Sequence, residues 1–369
     1  MRLAILTQYY PPEMGAPQAR LSELASRFVA RGHQVDVLTA MPNYPAGKIF
    51  PGYGGVFKRE TLDGSRITRT AIYPTKKVGL VPRLANYFSF VFSSALVGAA
   101  ALPRVDYLLA ESPPLFLGLS GFFLSRLKGA RLIFNVADLW PQSAVELGVL
   151  RDGSALRMAR RLEAFCYRRA WLVSGQSRGI LADIERRFPE VPTHHLSNGV
   201  DPDLFHPDVE PQRRELGLGE DDECIVLYAG LHGLAQGLTQ ILEAAARLRE
   251  VEKLKFVLVG DGPDKENLKA RAEELGLDNV RFLDPVPRSA MPSLVASADV
   301  GIACLKRSMR GAVPSKIYES MGAGRPLVLA AEGEPAEIVN GSGAGLVVPS
   351  GDVEGLTASL RRLAKSPEE

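Results

Sequence analysis

The chain has 369 residues, too many for one ordinary hydrophobic core, so two domains are expected. Hydrophobic residues make up 46% and charged residues 23%, a globular balance, and a net charge of +2 gives no overall reason to expect a nucleic acid partner. Cys166, Cys224 and Cys304 stand far apart beside apolar residues, with neither zinc spacing nor a disulfide framework, so a reducing cytosol is expected.

The start, MRLAILTQYYPP, lacks the apolar length and cleavage site of a signal peptide and reads as a buried strand over 3–7. A helix over 17–31 follows, with Leu21, Leu24, Phe28 and Val29 on one face, then a strand over 34–39. The stretch 84–103 carries no charge and lies between Arg83 and Arg104, with Lys76 and Lys77 upstream. Its length approaches a membrane span, but Asn86, Ser89, Ser93 and Ser94 dilute it. A buried core helix and a helix dipping into a membrane interface are both open readings, with a true span the third. Strands at 107–110, 131–136, 171–174 and near 194–197 follow, with a basic helix over 154–169.

A second series begins with a strand at 224–230 and continues with strands at 255–260, 280–284, 300–305, 326–330 and 345–349, each separated by a helix. Two such series predict an α/β protein of two doubly wound parallel sheets. The expected division is 1–197, a proline-rich linker over 198–215, and 216–369. Ligands are expected where the carboxyl ends of the strands open onto a cleft between the domains.

Chemistry concentrates in the second series. AGLHGLAQGL (229–238) follows a strand and opens a helix; Gly230, Gly233 and Gly237 let backbone N–H groups approach a phosphate. GDGPD (260–264), with Asp261 and Gly262, is a similar turn after the next strand; glycine-rich turns are also common structural joints. In AVPSKIYESMGAGRPLVLA (312–330) a helix is expected over 314–323, which puts Lys316 in a first turn whose dipole disfavours a cation. A diphosphate at that end makes Lys316 a counter-charge, cradled by the segment Val313, Pro314 and Ser315, in which the Val313 and Ser315 N–H groups and the Ser315 hydroxyl are the donors. Glu319, on the same face, would accept from two neighbouring sugar hydroxyls; a solvated lysine and a surface glutamate are the plainer alternative.

These features together resemble the family 4 glycosyltransferases of the two-domain GT-B fold, in particular bacterial O-antigen, capsule and colanic-acid transferases, including those assigned to L-fucosamine transfer. The marks are QYYPPEMGAPQARLSELASRFVARGHQVDVLTAMPNYP at the start, ADLWPQS (137–143), LSNGVDPDLF (196–205), YAGLHGLAQGL (228–238), LVGDGP (258–263) and VPSKIYESMGAGRP (313–326). The resemblance implies transfer of a sugar, with retention, from a nucleotide diphosphate sugar. A UDP-sugar is favoured, an N-acetylated deoxyhexose among the candidates, and the expected acceptor is a polyprenyl-diphosphate-linked saccharide at the inner face of the cytoplasmic membrane. It implies that Glu319 is the ribose ligand, that Gly15 and Ala16 form a small-residue pair near donor phosphate or acceptor, and that Asp138 is the aspartate of the loop after a central strand. Phe282 and Leu283 fall where backbone groups meet the base. The chain departs from the pattern at Leu231 and Gln236, where the family often has cations, and at Gly311, where it often has a glutamate. Lys306, Arg307 and Arg310 are the nearest replacement charges besides Lys316. The last helix is expected to be reduced or to pack back on the first domain.

Breaking the sugar–phosphate bond leaves charge on the leaving oxygen, which Lys316 and the amides of 312–315 would stabilise. Glu13 and Asp138 are reserve candidates for acid–base work or acceptor positioning, beside the alternatives of a loop charge and a turn aspartate. No metal and no cofactor are expected. Two rivals stand apart. GQSRG (175–179) fits a nucleophile elbow and an esterase using Ser177, though the last histidine, His232, comes too early for that fold. A non-catalytic sugar-nucleotide-binding protein is the other. DPD (201–203) and His194–His195 read as linker and strand edge.

Overall fold

The computed structural model describes residues 1–13, 15–76, 79–146, 148, 150–306 and 311–365. Lys77, Arg307 and Arg310 lie outside them. The chain divides into two compact units, Met1–Ser197 and Asn198–Glu369.

The first unit runs β1 (Arg2–Leu6), α1 (Ala16–Ala30), β2 (Gln34–Ala40), β3 (Phe57–Leu62), β4 (Ser65–Thr70), α2 (Leu80–Ala101), β5 (Tyr107–Ser112), α3 (Leu117–Lys128), β6 (Arg131–Val136), α4 (Gln142–Glu146), α5 (Ser154–Arg169), β7 (Leu172–Gly175), α6 (Arg178–Arg187) and β8 (Thr193–His195). Among the described residues these strands form an eight-stranded sheet in the order β3-β4-β2-β1-β5-β6-β7-β8. Every pairing is parallel except the β3–β4 hairpin. The two faces of β1 show why its sequence is apolar from Leu3 to Leu6. Leu3 and Ile5 enter the core beneath α1 with Leu21 and Val35, whereas Ala4 and Leu6 enter the opposite core with Leu38, Phe90 and Phe134.

The hairpin was not expected from the sequence: its strands are charged and β3 lies at the sheet edge. On α2, Phe90, Val91 and Ser94 are buried, and a Cβ on Gly98 would press on Leu38 and Leu124, so the helix packs closely there. Its other face is open, with Val81, Phe92 and Leu96 exposed by 76%, 65% and 75%. The 84–103 segment is therefore a core helix on one side and an unpartnered apolar stripe on the other. Val81–Ala101 is long and apolar enough to cross a membrane by length and composition.

The second unit runs β9 (Cys224–Ala229), α7 (Thr239–Ala246), β10 (Leu254–Val259), α8 (Lys265–Glu274), β11 (Val280–Leu283), α9 (Met291–Ala296), β12 (Val300–Cys304), α10 (Lys316–Gly322), β13 (Leu327–Ala330), α11 (Glu334–Ser342), β14 (Gly345–Val348) and α12 (Val353–Lys365). Among the described residues its sheet is six-stranded and fully parallel, in the order β11-β10-β9-β12-β13-β14. Alternate residues again feed two cores: Val226 and Tyr228 on one side, Ile225 and Leu227 on the other. Both sheets, with their crossover helices, have the expected α/β architecture.

Residues 198–215 belong to the second unit instead of standing free of it. Gln212 N–H donates to Ser297 Oγ (2.7 Å), and Arg213 pairs with Asp299 (2.5 Å) and donates to Glu223 O (3.0 Å). The last helix packs within the second unit as well: Leu356, Leu360 and Leu363 of α12 are seated in the core with Val328 and Leu242.

Candidate active site

In the second sheet the strand order reverses at β9, between β10 and β12. Parallel strands send their following loops off one edge, and a reversal opens a crevice there. The loops after these three strands meet at that point. His232 N–H donates to Asp261 O (2.9 Å), Asp264 N–H to His232 O (3.0 Å), and Lys306 N–H to Ala235 O (2.9 Å). Their approach needs small residues. A Cβ on Gly260 would strike the Gly230 carbonyl, and one on Gly230 would lie 2.9 Å from Lys316 Nζ. Gly237, with φ 58°, turns the chain into α7, and Gly233 precedes the short 3-10 turn Leu234–Gln236.

Of the lysines at this junction Lys306 is exposed, and the other two, Lys265 and Lys316, differ in state. Lys265 is 5% exposed, and its Nζ donates to Gly260 O (2.8 Å), Leu283 O (3.2 Å) and Asp284 Oδ1 (2.9 Å), so its charge is committed to holding loops. Lys316 is half-buried, its Nζ stands 4.6 Å from the Tyr228 ring centroid, and it makes no hydrogen bond or ion pair among the described residues. Burial lowers its pKa, with Glu319 opposing the shift. A partly desolvated ammonium held by an aromatic face alone is short of an anion.

Lys316 opens α10, so Pro314 and Ser315 precede the helix instead of forming its first turn, as the sequence had suggested. Pro314 O and Ser315 O accept from Ile317 N (3.3 Å) and Tyr318 N (3.0 Å), a tight three-residue turn that enters the helix. Buried Val313 and Ile317 anchor this entry beside Leu305 and Leu329. The Ser315 side chain makes no capping bond. Glu319 is half-buried; burial raises its pKa, against the pull of Lys316 and Arg288. Lys316 and Glu319 line one small cavity with Ala229 and Gly301.

Asp261 is exposed and its Oδ1 accepts from Gly262 N (2.8 Å). At the edge strand β11, Asn279 O and Leu283 O accept from Phe256 and Gly260 of the β10 segment. The two-residue ladder period then turns the Phe282 N–H and C=O toward the open edge. Leu283 is different from the expectation: its carbonyl is already taken by Gly260 N–H and by Lys265. Gln236 is half-buried, with its Oε1 buried and without a partner among the described residues. His232, not among the residues expected at the site, is fully buried inside this junction, and neither ring nitrogen has a hydrogen-bond partner among the described residues. Its place in a glycine-rich loop was the available signal.

In the first sheet the reversal is at β1, between β2 and β5. Gly15 and Ala16 are exposed at the start of α1. Glu13 is neither solvated nor free: it is 3% exposed, and its carboxylate accepts from the N–H groups of Asn43 (2.7 Å), Tyr44 (2.8 Å) and Tyr10 (3.3 Å). Burial raises its pKa against those bonds, and buried Arg69 lies nearby, paired with Glu60 (2.5 Å) and donating to Pro11 O. Glu13 therefore fastens the loop after β1 to the loop after β2. Asp138 is half-buried; its Oδ2 accepts from Ser143 Oγ (2.8 Å), and burial raises its pKa. A buried chain that the sequence did not reveal runs from Ser174 Oγ to Asn135 (2.7 Å), from Asn135 to Glu111 (2.7 Å), and on to Arg20.

Ser177 is 0% exposed and caps α6 by accepting from Ile180 N–H (3.1 Å). A hydroxyl sealed in this way cannot meet an ester, which removes the nucleophile-elbow reading. Among the described residues no three His, Cys, Asp or Glu gather as metal ligands.

Residues 15–199 match the family described as glycosyl transferase 4-like domain, and residues 208–369 match glycosyl transferases group 1. The chain is similar to the putative colanic acid biosynthesis glycosyl transferase WcaI of Escherichia coli K12, with 28% identity over 391 residues, covering 100% of this chain and 93% of that relative. Among solved structures it is similar to a sucrose-phosphate synthase from Thermosynechococcus elongatus, with TM-score 0.78, 19% identity and coverage of 100% and 90%. It is similar also to Anabaena Alr3699/HepE in complex with UDP-glucose, with TM-score 0.72, 19% identity and coverage of 100% and 91%. At this identity the two structures speak for the fold.

Proposed function

We propose a donor, an acceptor and a reaction course for this chain, which belongs to the glycosyltransferases with a 4-like N-terminal domain and a group 1 C-terminal domain and acts in polysaccharide biosynthesis. The donor is a nucleotide diphosphate sugar, with UDP favoured, held by the second unit. The observation that carries this reading is Lys316: an ammonium with no ion pair among the described residues, beside Gly230, whose φ of 147° favours glycine. A diphosphate there supplies the missing anion. The backbone N–H groups of Val313 and Ser315 and the Ser315 hydroxyl add donors, Gly230, Gly233 and Gly237 admit the phosphates, Glu319 accepts from the ribose hydroxyls, and the outward Phe282 backbone meets the base.

Transfer proceeds with retention. As the sugar–phosphate bond lengthens, charge grows on the leaving oxygen, and Lys316 gains more against it than against the ground state. The acceptor hydroxyl passes its proton to the departing phosphate, so no side-chain base is needed. Glu13 acts only by fixing its loop, and Asp138, in the loop after β6 at the carboxyl edge of the first sheet, positions the acceptor with Gly15 and Ala16 of the loop after β1. No metal or cofactor enters.

The acceptor is a polyprenyl-diphosphate-linked saccharide at the cytoplasmic membrane face. This reading is supported by the exposed stripe Val81, Phe92 and Leu96, with Lys76, Arg83 and Arg104 at its ends. A thermal-shift panel of UDP-, GDP- and ADP-sugars on wild type and Lys316→Met tests the donor. A UDP-specific shift lost in the variant is expected; no nucleotide shift in either protein would overturn the reading, and so would one that survives the substitution.

A further inference from the structure

The glycine loop after β9 is built inside out. Leu231 and Leu234 are exposed by 42% and 57%, while His232 between them is fully buried. Its ring lies among three strand ends: 5.9 Å from the Tyr228 ring of β9, 6.2 Å from the Phe282 ring of β11, and 3.3 Å (at Nε2) from where a Cβ on Gly260 would be. Both ring nitrogens are without a hydrogen-bond partner among the described residues, as is the buried Oε1 of Gln236 four residues on. A phenylalanine would fill this space without stranding polar atoms. A buried polar group left unpaired is destabilising, so such groups in a folded protein ordinarily have a partner in some state.

The partner's chemistry follows from the surroundings. The loop 229–237 contains no cation, and Lys265 is fully engaged. Lys316 has no ion pair among the described residues and rests on the Tyr228 ring, and the Tyr228 hydroxyl donates to Leu231 O (2.7 Å). Gly230 and Gly233 bracket Leu231 and His232 as two joints, and a turn about them gives up the bonds of His232 N–H to Asp261 O (2.9 Å), of Asp264 N–H to His232 O (3.0 Å) and of the Tyr228 hydroxyl to Leu231 O (2.7 Å). On this basis, which rests on the donor site described above, we propose that His232 is a donor-positioning residue: when the nucleoside diphosphate arrives, the loop turns and the imidazole donates an N–H to a phosphate oxygen, taking a place that a cation would otherwise fill. The groups facing the ring are Lys265, Asp261, Lys316, Asp264 and Tyr228. Burial, with Lys265 and Lys316 adding to it, pushes its pKa down to about 4, so the donor is a neutral imidazole at physiological pH.

The test compares the full-length wild type with His232→Phe and His232→Gln, using UDP as the probe. Thermal unfolding is read without ligand, and UDP affinity is read by calorimetry from pH 5.5 to 8. His232→Phe should raise the melting temperature without ligand, because stranded polar atoms are gone, and weaken UDP binding at least 10-fold. His232→Gln should recover much of the affinity. A merely structural histidine gives the opposite pattern: Phe or Gln lowers the melting temperature and the folded protein binds UDP as wild type does. A wild-type affinity in His232→Phe overturns the proposal, and so does affinity that rises steeply on acidification in wild type but not in His232→Gln, since that would require the imidazolium. Lys316→Met separates the two readings. If it abolishes UDP binding while His232→Phe does not, the donor site stands and the histidine's role falls; if Lys316→Met binds UDP normally, the donor site itself is wrong.

Discussion

Replacing Lys316 by methionine keeps the length of the stem and removes the charge. The structure sets two effects of opposite sign. With substrate, an ammonium about 4 Å from a phosphate charge is worth roughly 4 kcal/mol at an effective dielectric constant of 20. Loss of one donor to a developing oxyanion typically costs about 100- to 1,000-fold in turnover. Without substrate, the ammonium is half-buried over Tyr228 and has no ion-pair partner among the described residues, so its removal relieves a desolvation cost. The variant should therefore lose about 1,000-fold in kcat/KM and melt higher, by about 2–4 °C for each kcal/mol relieved. The pH dependence provides a check. The folded pKa of Lys316 lies below its unfolded value, so between the two the unfolded chain binds more protons and stability rises with pH. Wild type should show that alkaline rise and Lys316→Met should lack it. The assays are transfer from a UDP-sugar and thermal unfolding from pH 7 to 10.5. Turnover within threefold of wild type would refute the reasoning, as would a lower melting temperature in the variant.

Glu319→Gln should weaken donor binding by about 10- to 100-fold, the value of a hydrogen bond to a charged group, and wild-type affinity should fall on acidification with a midpoint above the ordinary glutamate value, because burial raises this pKa; calorimetry against pH checks both. Glu13→Ala strands three backbone N–H groups and should destabilise the protein by at least about 2 kcal/mol in urea unfolding, while donor affinity in the second unit stays as it was. Ser177→Ala should cost about 1 kcal/mol of stability through its lost cap and leave glycosyl transfer unchanged. The double substitution Phe92→Asp with Leu96→Asp should abolish sedimentation with vesicles containing anionic lipid, without lowering the melting temperature, since both side chains are exposed.

The parts of this protein legible in its sequence are those governed by local periodicity. Buried parallel strands such as LAIL and CIVLYA announce themselves by unbroken apolar runs, because both faces are covered. The β3–β4 hairpin was missed because FKRETL and SRITRT carry charge at a sheet margin, although Asp63 and Gly64 spell the tight turn that their φ values of 47° and 76° make. At the candidate site, the loops and Lys316 could be located because strand–glycine–helix order is a local signal. The state of each side chain could not. Whether a lysine is committed, as Lys265 is, or has no ion pair among the described residues, as with Lys316, depends on carbonyls brought in from other strands. The same holds for Glu13, whose amide partners at 43 and 44 are thirty residues away, and for His232, whose isolation is set by three strand ends.

A crystal structure of the full-length protein with bound UDP tests the central claim most directly. The account predicts phosphate oxygens about 3 Å from Lys316 Nζ and from the backbone N–H of Ser315, with Glu319 on the ribose hydroxyls. UDP bound elsewhere, with the Lys316 ammonium still resting only on Tyr228, would contradict it.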